Sequence, residues 1–205
     1  MKKLISILLC LALLLSCAAA LAETATETAT EATTETATEA ATETATEAAA
    51  ADKTELKVSD ELSLKALIPE GYEMVDLTSD DQILYMFGSK DTSKPVLILS
   101  LGVDDSWPVG TKLNNISEED LKEIEYTKFL TYDPTMEIYY TETAYGTKLL
   151  VASMADKSIV VFYCLYDGYE IEFDLLMPDG SELTQAHIDN CVKFLSDLDF
   201  VYADK

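Results

Sequence analysis

The sequence predicts an α+β domain, an antiparallel β-sheet with covering helices, and three observations carry that expectation. Residues 159–166, Ile-Val-Val-Phe-Tyr-Cys-Leu-Tyr, are apolar at every position, as in a central strand covered on both faces. Asp167-Gly168 follows, a two-residue hairpin signal, and then Tyr169, Ile171, Phe173, Leu175 and Met177 alternate with Glu170, Glu172 and Asp174. After the break at Pro178-Asp179-Gly180-Ser181, the residues Ile188, Cys191, Val192 and Leu195 recur at i, i+3, i+4, i+7. That stripe predicts a helix over about 184–196 with one apolar face.

The remaining elements follow in chain order. A strand is expected over 62–69, entering a turn at Pro69-Glu70-Gly71-Tyr72. The apolar runs 83–87 and 96–101, joined by the polar loop 88–95, read as a hairpin. Ser117 ahead of Glu118-Glu119-Asp120 predicts a capped helix N-terminus, with the helix reaching about Lys128 and turning Leu121 and Ile124 inward. Asn115-Ile116-Ser117 is also an N-x-S sequon, and the cap is the better reading. Strands over 136–143 and 147–154 flank an Ala144-Tyr145-Gly146 turn, and a further turn at 155–158 leads into the apolar run.

The 205 residues divide into three parts. Met1-Lys2-Lys3, the apolar run from Leu4 to Leu15 and Ala20-Leu21-Ala22 make residues 1–22 a signal peptide cleaved before Glu23. The apolar run is too short for a comfortable membrane span. Leu14-Leu15-Ser16-Cys17 competes with that site, because it resembles a bacterial lipobox in which Cys17 would carry lipid. Either route exports the protein, to the medium or to the outer face of the envelope.

Residues 23–51 form a spacer of low complexity. Glu23, Glu27, Glu31, Glu35, Glu39, Glu43 and Glu47 recur every fourth residue among Thr and Ala alone. Like charges at i, i+4 repel and threonine lowers helix propensity, so a solvated stalk is expected. Residues 52–205 are long enough for one domain with its own core.

Charge narrows the partners. The chain holds 38 acidic residues against 14 basic ones, all lysine, with one histidine and a net charge of −24. Residues 52–205 carry 12 lysines and 31 acids, a balance of −19. Such a chain repels phosphate backbones and lacks the guanidinium fork that reads them, so nucleic-acid binding is excluded. A basic patch for anionic lipid is missing too, which leaves a lipid at Cys17 as the only expected tie to a membrane.

The succession of Leu-Ser-Leu-Lys-Ala-Leu-Ile-Pro-Glu-Gly-Tyr-Glu-Met-Val (62–75), the hairpin meander, and the ending from Gly168-Tyr169-Glu170 to Asp199-Phe200 resembles the PsbP-like superfamily. That superfamily includes extrinsic photosystem II subunits, a Ran-binding nuclear protein and many exported bacterial proteins. The resemblance covers about residues 60–202 and rests on strand–turn–helix patterns. It implies a non-enzymatic binding or assembly factor, and it transfers no site residue.

Few residues point to chemistry. Cys164 and Cys191 remain after removal of the signal, and in an exported protein they invite a disulfide across 26 intervening residues. Two buried thiols are the competing reading. His187 lies four residues before Cys191, and with Cys164 they would supply three zinc ligands, but the spacing matches no metal motif. A Cys–His dyad is disfavoured because Cys191 faces the core. No Gly-x-Ser-x-Gly, phosphate loop or His-Glu-x-x-His is present, so no catalytic residue, cofactor or metal is assigned. Asp80-Asp81, Asp104-Asp105 and Glu118-Glu119-Asp120 lack the spaced pattern of a calcium loop and read as solvated surface. Of the eleven tyrosines, Tyr139, Tyr163 and Tyr166 fall on neighbouring expected strands and are a candidate aromatic contact face. The expected function is a non-catalytic exported or cell-surface binding module for an envelope or extracellular protein or glycan. The alternative is an extracellular hydrolase using paired carboxylates or a bound metal.

Overall fold

The structure is a computed structural model that describes residues 53–80, 82–103 and 107–202. The signal peptide, the Cys17 lipobox and the glutamate repeat lie outside the described residues, as do Asp81, Asp104 and Asp105. The chain separates into two units at residues 52 and 53, and the second is an α+β domain dominated by antiparallel sheet.

Among the described residues, ten strands form two sheets rather than the single sheet expected. Strands β1 (Thr54–Lys57), β2 (Leu62–Ala66) and β10 (Asp199–Tyr202) make a three-stranded sheet with β2 central. The larger sheet has seven strands: β3 (Tyr72–Asp76), β4 (Ile83–Ser89), β5 (Val96–Val103), β6 (Glu137–Glu142), β7 (Lys148–Ser153), β8 (Ile159–Tyr166) and β9 (Tyr169–Leu176). Their order is β3-β4-β5-β9-β8-β7-β6, with every neighbour antiparallel. Helices α1 (Glu118–Ile124) and α2 (Gln185–Ser196) accompany the sheets.

The large sheet is apolar on both faces at its centre, because successive side chains of a strand point to opposite faces. One face presents Tyr85 and Phe87 of β4, Leu97 and Leu99 of β5, Phe162 of β8 and Phe173 of β9. These pack in one core with Leu56, Leu62 and Leu64 of the small sheet and with Ile188, Cys191 and Phe194 of α2. Phe194 meets Phe87 and Phe173 edge-on, at centroid distances of 5.3 and 6.0 Å. The opposite face carries a second core of Leu150, Ala152, Val161, Tyr163 and Leu165, closed by Leu113, Leu121, Ile124 and Phe129.

The helix starts are as the sequence dictates. Ser117 Oγ accepts the amide of Asp120 at 3.1 Å, and Leu121 and Ile124 are buried. Thr184 caps α2, where His187 returns the bond by accepting the Thr184 amide on Nδ1 at 3.3 Å. The continuation expected to Lys128 is a π-helical turn over Glu125–Leu130 instead. Thr127 and Thr131 hydroxyls donate to the carbonyls four residues back, at 2.7 and 3.2 Å, while the Thr131 amide donates to Tyr126. Threonine hydroxyls competing for i−4 carbonyls account for the wider turn.

The β8–β9 hairpin turns as expected. Asp167 and Gly168 hold φ of +55° and +85°, the pair of left-handed residues that a type I′ turn requires. A Cβ at Gly168 would stand 3.0 Å from the Trp107 carbonyl, so both conformation and space demand glycine there.

Candidate functional site

β6 closes one edge of the large sheet, and its sequence, Glu-Ile-Tyr-Tyr-Thr-Glu, is built for a pleated edge rather than a core. It begins after an Asp133 turn, in which Asp133 accepts the Thr135 amide at 2.8 Å, and ends at the turn through Tyr145 and Gly146. On the inner side β6 pairs with β7 from Glu137–Ser153 to Glu142–Lys148.

The phase of that ladder can be read from its end. The Thr143 amide donates to the Thr147 carbonyl at 2.9 Å, so these residues form a hydrogen-bonded pair. Bonded and non-bonded pairs alternate along antiparallel strands. Glu137, Tyr139 and Thr141 therefore turn their backbone toward β7. Ile138, Tyr140 and Glu142 turn theirs outward, and these three amides have no partner among the described residues.

Tyrosines crowd the same edge. Tyr139 and Tyr140 point to opposite faces and are both exposed, while Tyr145 at the following turn is 81 % exposed. Tyr126 and Tyr132, from the π turn and its exit, are exposed as well. The Tyr140 hydroxyl donates to Glu125 Oε1 at 2.6 Å, and the Lys148 ammonium stands 4.4 Å from its ring centroid. Burial and the Glu125 hydrogen bond raise the Tyr140 pKa, and burial followed by the charge of Asp189 raises that of Tyr139. Both rings thus stay neutral phenols, apolar in body and polar at the tip, the kind of group that carries protein contacts.

The three tyrosines singled out by sequence do not form one face. Tyr163 is 1 % exposed in the second core, because its odd position on β8 directs it away from Tyr166. Tyr166 is partly buried on the first face and stacks on Phe200 at 3.6 Å. Tyr139 alone stays at the surface. A sharper signal lay in the chain from Tyr126 to Tyr145, where five tyrosines lie in an acidic stretch that lacks the apolar runs of the core strands.

A second constellation occupies β9. Glu170, Glu172 and Asp174 share the face opposite to Phe173. Glu170 is answered twice, by Lys128 of the π turn at 2.8 Å and by the Tyr163 hydroxyl at 2.9 Å. A cleft of about 140 Å³ opens above this group, lined by Trp107, Asp120, Glu123, Ile124, Thr127, Lys128 and Glu170. Farther along, Asp174 lies between Ile98 of β5 and Val161 of β8. Its Oδ1 is buried without a hydrogen-bond partner in the described structure. Burial first, and the charge of Glu172 second, raise the Asp174 pKa well above the ordinary carboxylate value.

Of the two readings the sequence left open for Cys164 and Cys191, the structure carries them as free, buried thiols. Cys164 sits on β8, level with Ile171, Leu101 and Ile83. Cys191 lies on α2, and both sulfurs belong to the first core. Burial lifts the Cys164 thiol to about 12 and raises that of Cys191 as well, so neither is a thiolate at neutral pH. His187 is engaged in the α2 cap, and no cluster of three metal-ligating residues occurs among the described residues.

No protein-family model matches this chain, and no curated protein matches it in sequence.

Proposed function

We propose that this protein is a non-catalytic binding module, exported to the cell surface or the medium, which engages an envelope or extracellular protein through β6 and its tyrosines. The observation that carries this reading is the concentration of exposed aromatic side chains on a sheet edge whose outward amides are unpaired. Tyrosine supplies large contact area with few rotatable bonds, and interfaces are enriched in it. Export rests on the signal sequence, and a glutamate-rich stalk would hold the edge clear of the envelope. The PsbP-like reading of the domain rests on its sequence pattern, and members of that superfamily bind and assemble.

One observation favours the rival reading, a hydrolase with paired carboxylates. Glu172 and Asp174 share a face, and Asp174 has the raised pKa of a general acid. Its buried Oδ1 argues against access by a substrate.

Photo-crosslinking in the native host tests the binding reading. A photoreactive residue at Tyr145 is expected to capture an envelope or extracellular protein. The same group at Glu61, in the turn between β1 and β2, is expected to capture none. Equal capture at both positions, or none at Tyr145, contradicts the proposal.

A further inference from the structure

The outward backbone of β6 identifies the form of the partner. Ile138, Tyr140 and Glu142 present three N–H and three C=O groups at every second residue, the pattern that a further antiparallel strand completes. The middle of β6 carries none of the usual guards against this. The strand has no proline and no lysine, six residues run without a bulge against β7, and its only charges are Glu137 and Glu142 at the two ends. Charge selects the occupant. Glu137 and Glu142 flank the tyrosines, Glu125 lies beside Tyr140, and Asp189 acts on Tyr139 from the other face. Lys148, the nearby cation, is already placed over the Tyr140 ring.

We propose that β6 takes up an extended, lysine- or arginine-bearing segment of the partner protein as the eighth strand of the large sheet. This rests on the reading of β6 as the contact edge. Backbone bonds to Ile138, Tyr140 and Glu142 supply the register. Alternate basic side chains of the incoming strand fall beside Tyr139 on one face or beside Tyr140 and Glu125 on the other, where ring and carboxylate both attract a cation. A second copy of this chain is the poorer occupant, because two domains of charge −19 repel as they approach.

Amide hydrogen exchange on the full chain tests the proposal, with a short synthetic peptide of alternating lysine and valine as probe. The peptide is expected to slow exchange at Ile138, Tyr140 and Glu142 by about tenfold or more, a change measured against the fast exchange of unpaired edge amides. Its glutamate–valine counterpart is expected to leave them unchanged. A lysine–valine peptide N-methylated at every amide, which has no N–H left to donate on either edge, is expected to give no protection. Equal binding of the methylated peptide at the tyrosines would overturn strand addition while leaving β6 as the contact edge. Equal protection by the glutamate peptide would overturn the basic partner, and a lysine–valine peptide that protects none of the three amides would overturn the whole inference. The crosslink at Tyr145 reads the contact edge separately, so the two failures are distinguishable.

Discussion

Val161 and Asp174 face each other across paired strands, and the contrast between them separates the two halves of the β8–β9 hairpin. On the first face the strands are equivalent, with Phe162 opposite Phe173 and Cys164 opposite Ile171, all in one core. On the other face β8 presents Val161, Tyr163 and Leu165 to the second core, whereas β9 presents Asp174, Glu172 and Glu170. Glu170 is compensated by Lys128 and Tyr163. Asp174 keeps a buried oxygen with no partner. Alternation along a strand therefore tells which side chains share a face, but not whether water reaches them. That depends on what packs above the neighbouring strands.

The largest expected effect tests the equivalent face. Phe162→Ala and Phe173→Ala should each cost about 3–5 kcal/mol in denaturant unfolding, since each empties a ring-sized volume in the same core. A cost for Phe173→Ala well below that for Phe162→Ala would show that the two strands differ on this face too.

A smaller effect of opposite sign sharpens the contrast on the second face. Asp174 has a folded pKa above its unfolded value, so the fold disfavours the carboxylate and stability falls as pH rises from about 4 through the folded pKa. Asp174→Leu removes that cost. At neutral pH it should stabilise the domain by about 1–3 kcal/mol, or about 2–4 °C per kcal/mol in a melt of a domain this size. Below about pH 4 the acid is neutral in both states, and the gain should shrink. A gain independent of pH, or a loss at neutral pH, would mean that Asp174 is satisfied in the fold.

Much of this was legible from local signals. The boundaries of β8, the Asp167-Gly168 turn and the Ser117 and Thr184 helix starts follow from apolar runs, turn chemistry and caps acting within a few residues. The small sheet was not legible. β1 and β10 are four residues each, too short to show a period, and they exist as strands only by pairing with β2 from the two ends of the domain. β3 is a mostly exposed edge strand with weak alternation. The candidate site was half legible. Tyr139 was named, but Tyr163 and Tyr166 were grouped with it although odd and even positions of one strand point apart. Tyr140 and Tyr145 gain their meaning from β6 being last in the sheet, which is a property of strand order.

In the binding proposal, the tyrosine edge of β6 and not the acid row of β9 makes the contact. The direct measurement is the affinity of the partner crosslinked at Tyr145 for two variants of the full chain. The triple substitution Tyr139→Ser, Tyr140→Ser and Tyr145→Ser should weaken binding by about tenfold or more, about 1.4 kcal/mol at the least. Glu172→Gln with Asp174→Asn should leave it within about twofold. Undiminished binding by the tyrosine variant, together with a glycan- or peptide-cleaving activity that disappears with the two carboxylates, would contradict the account.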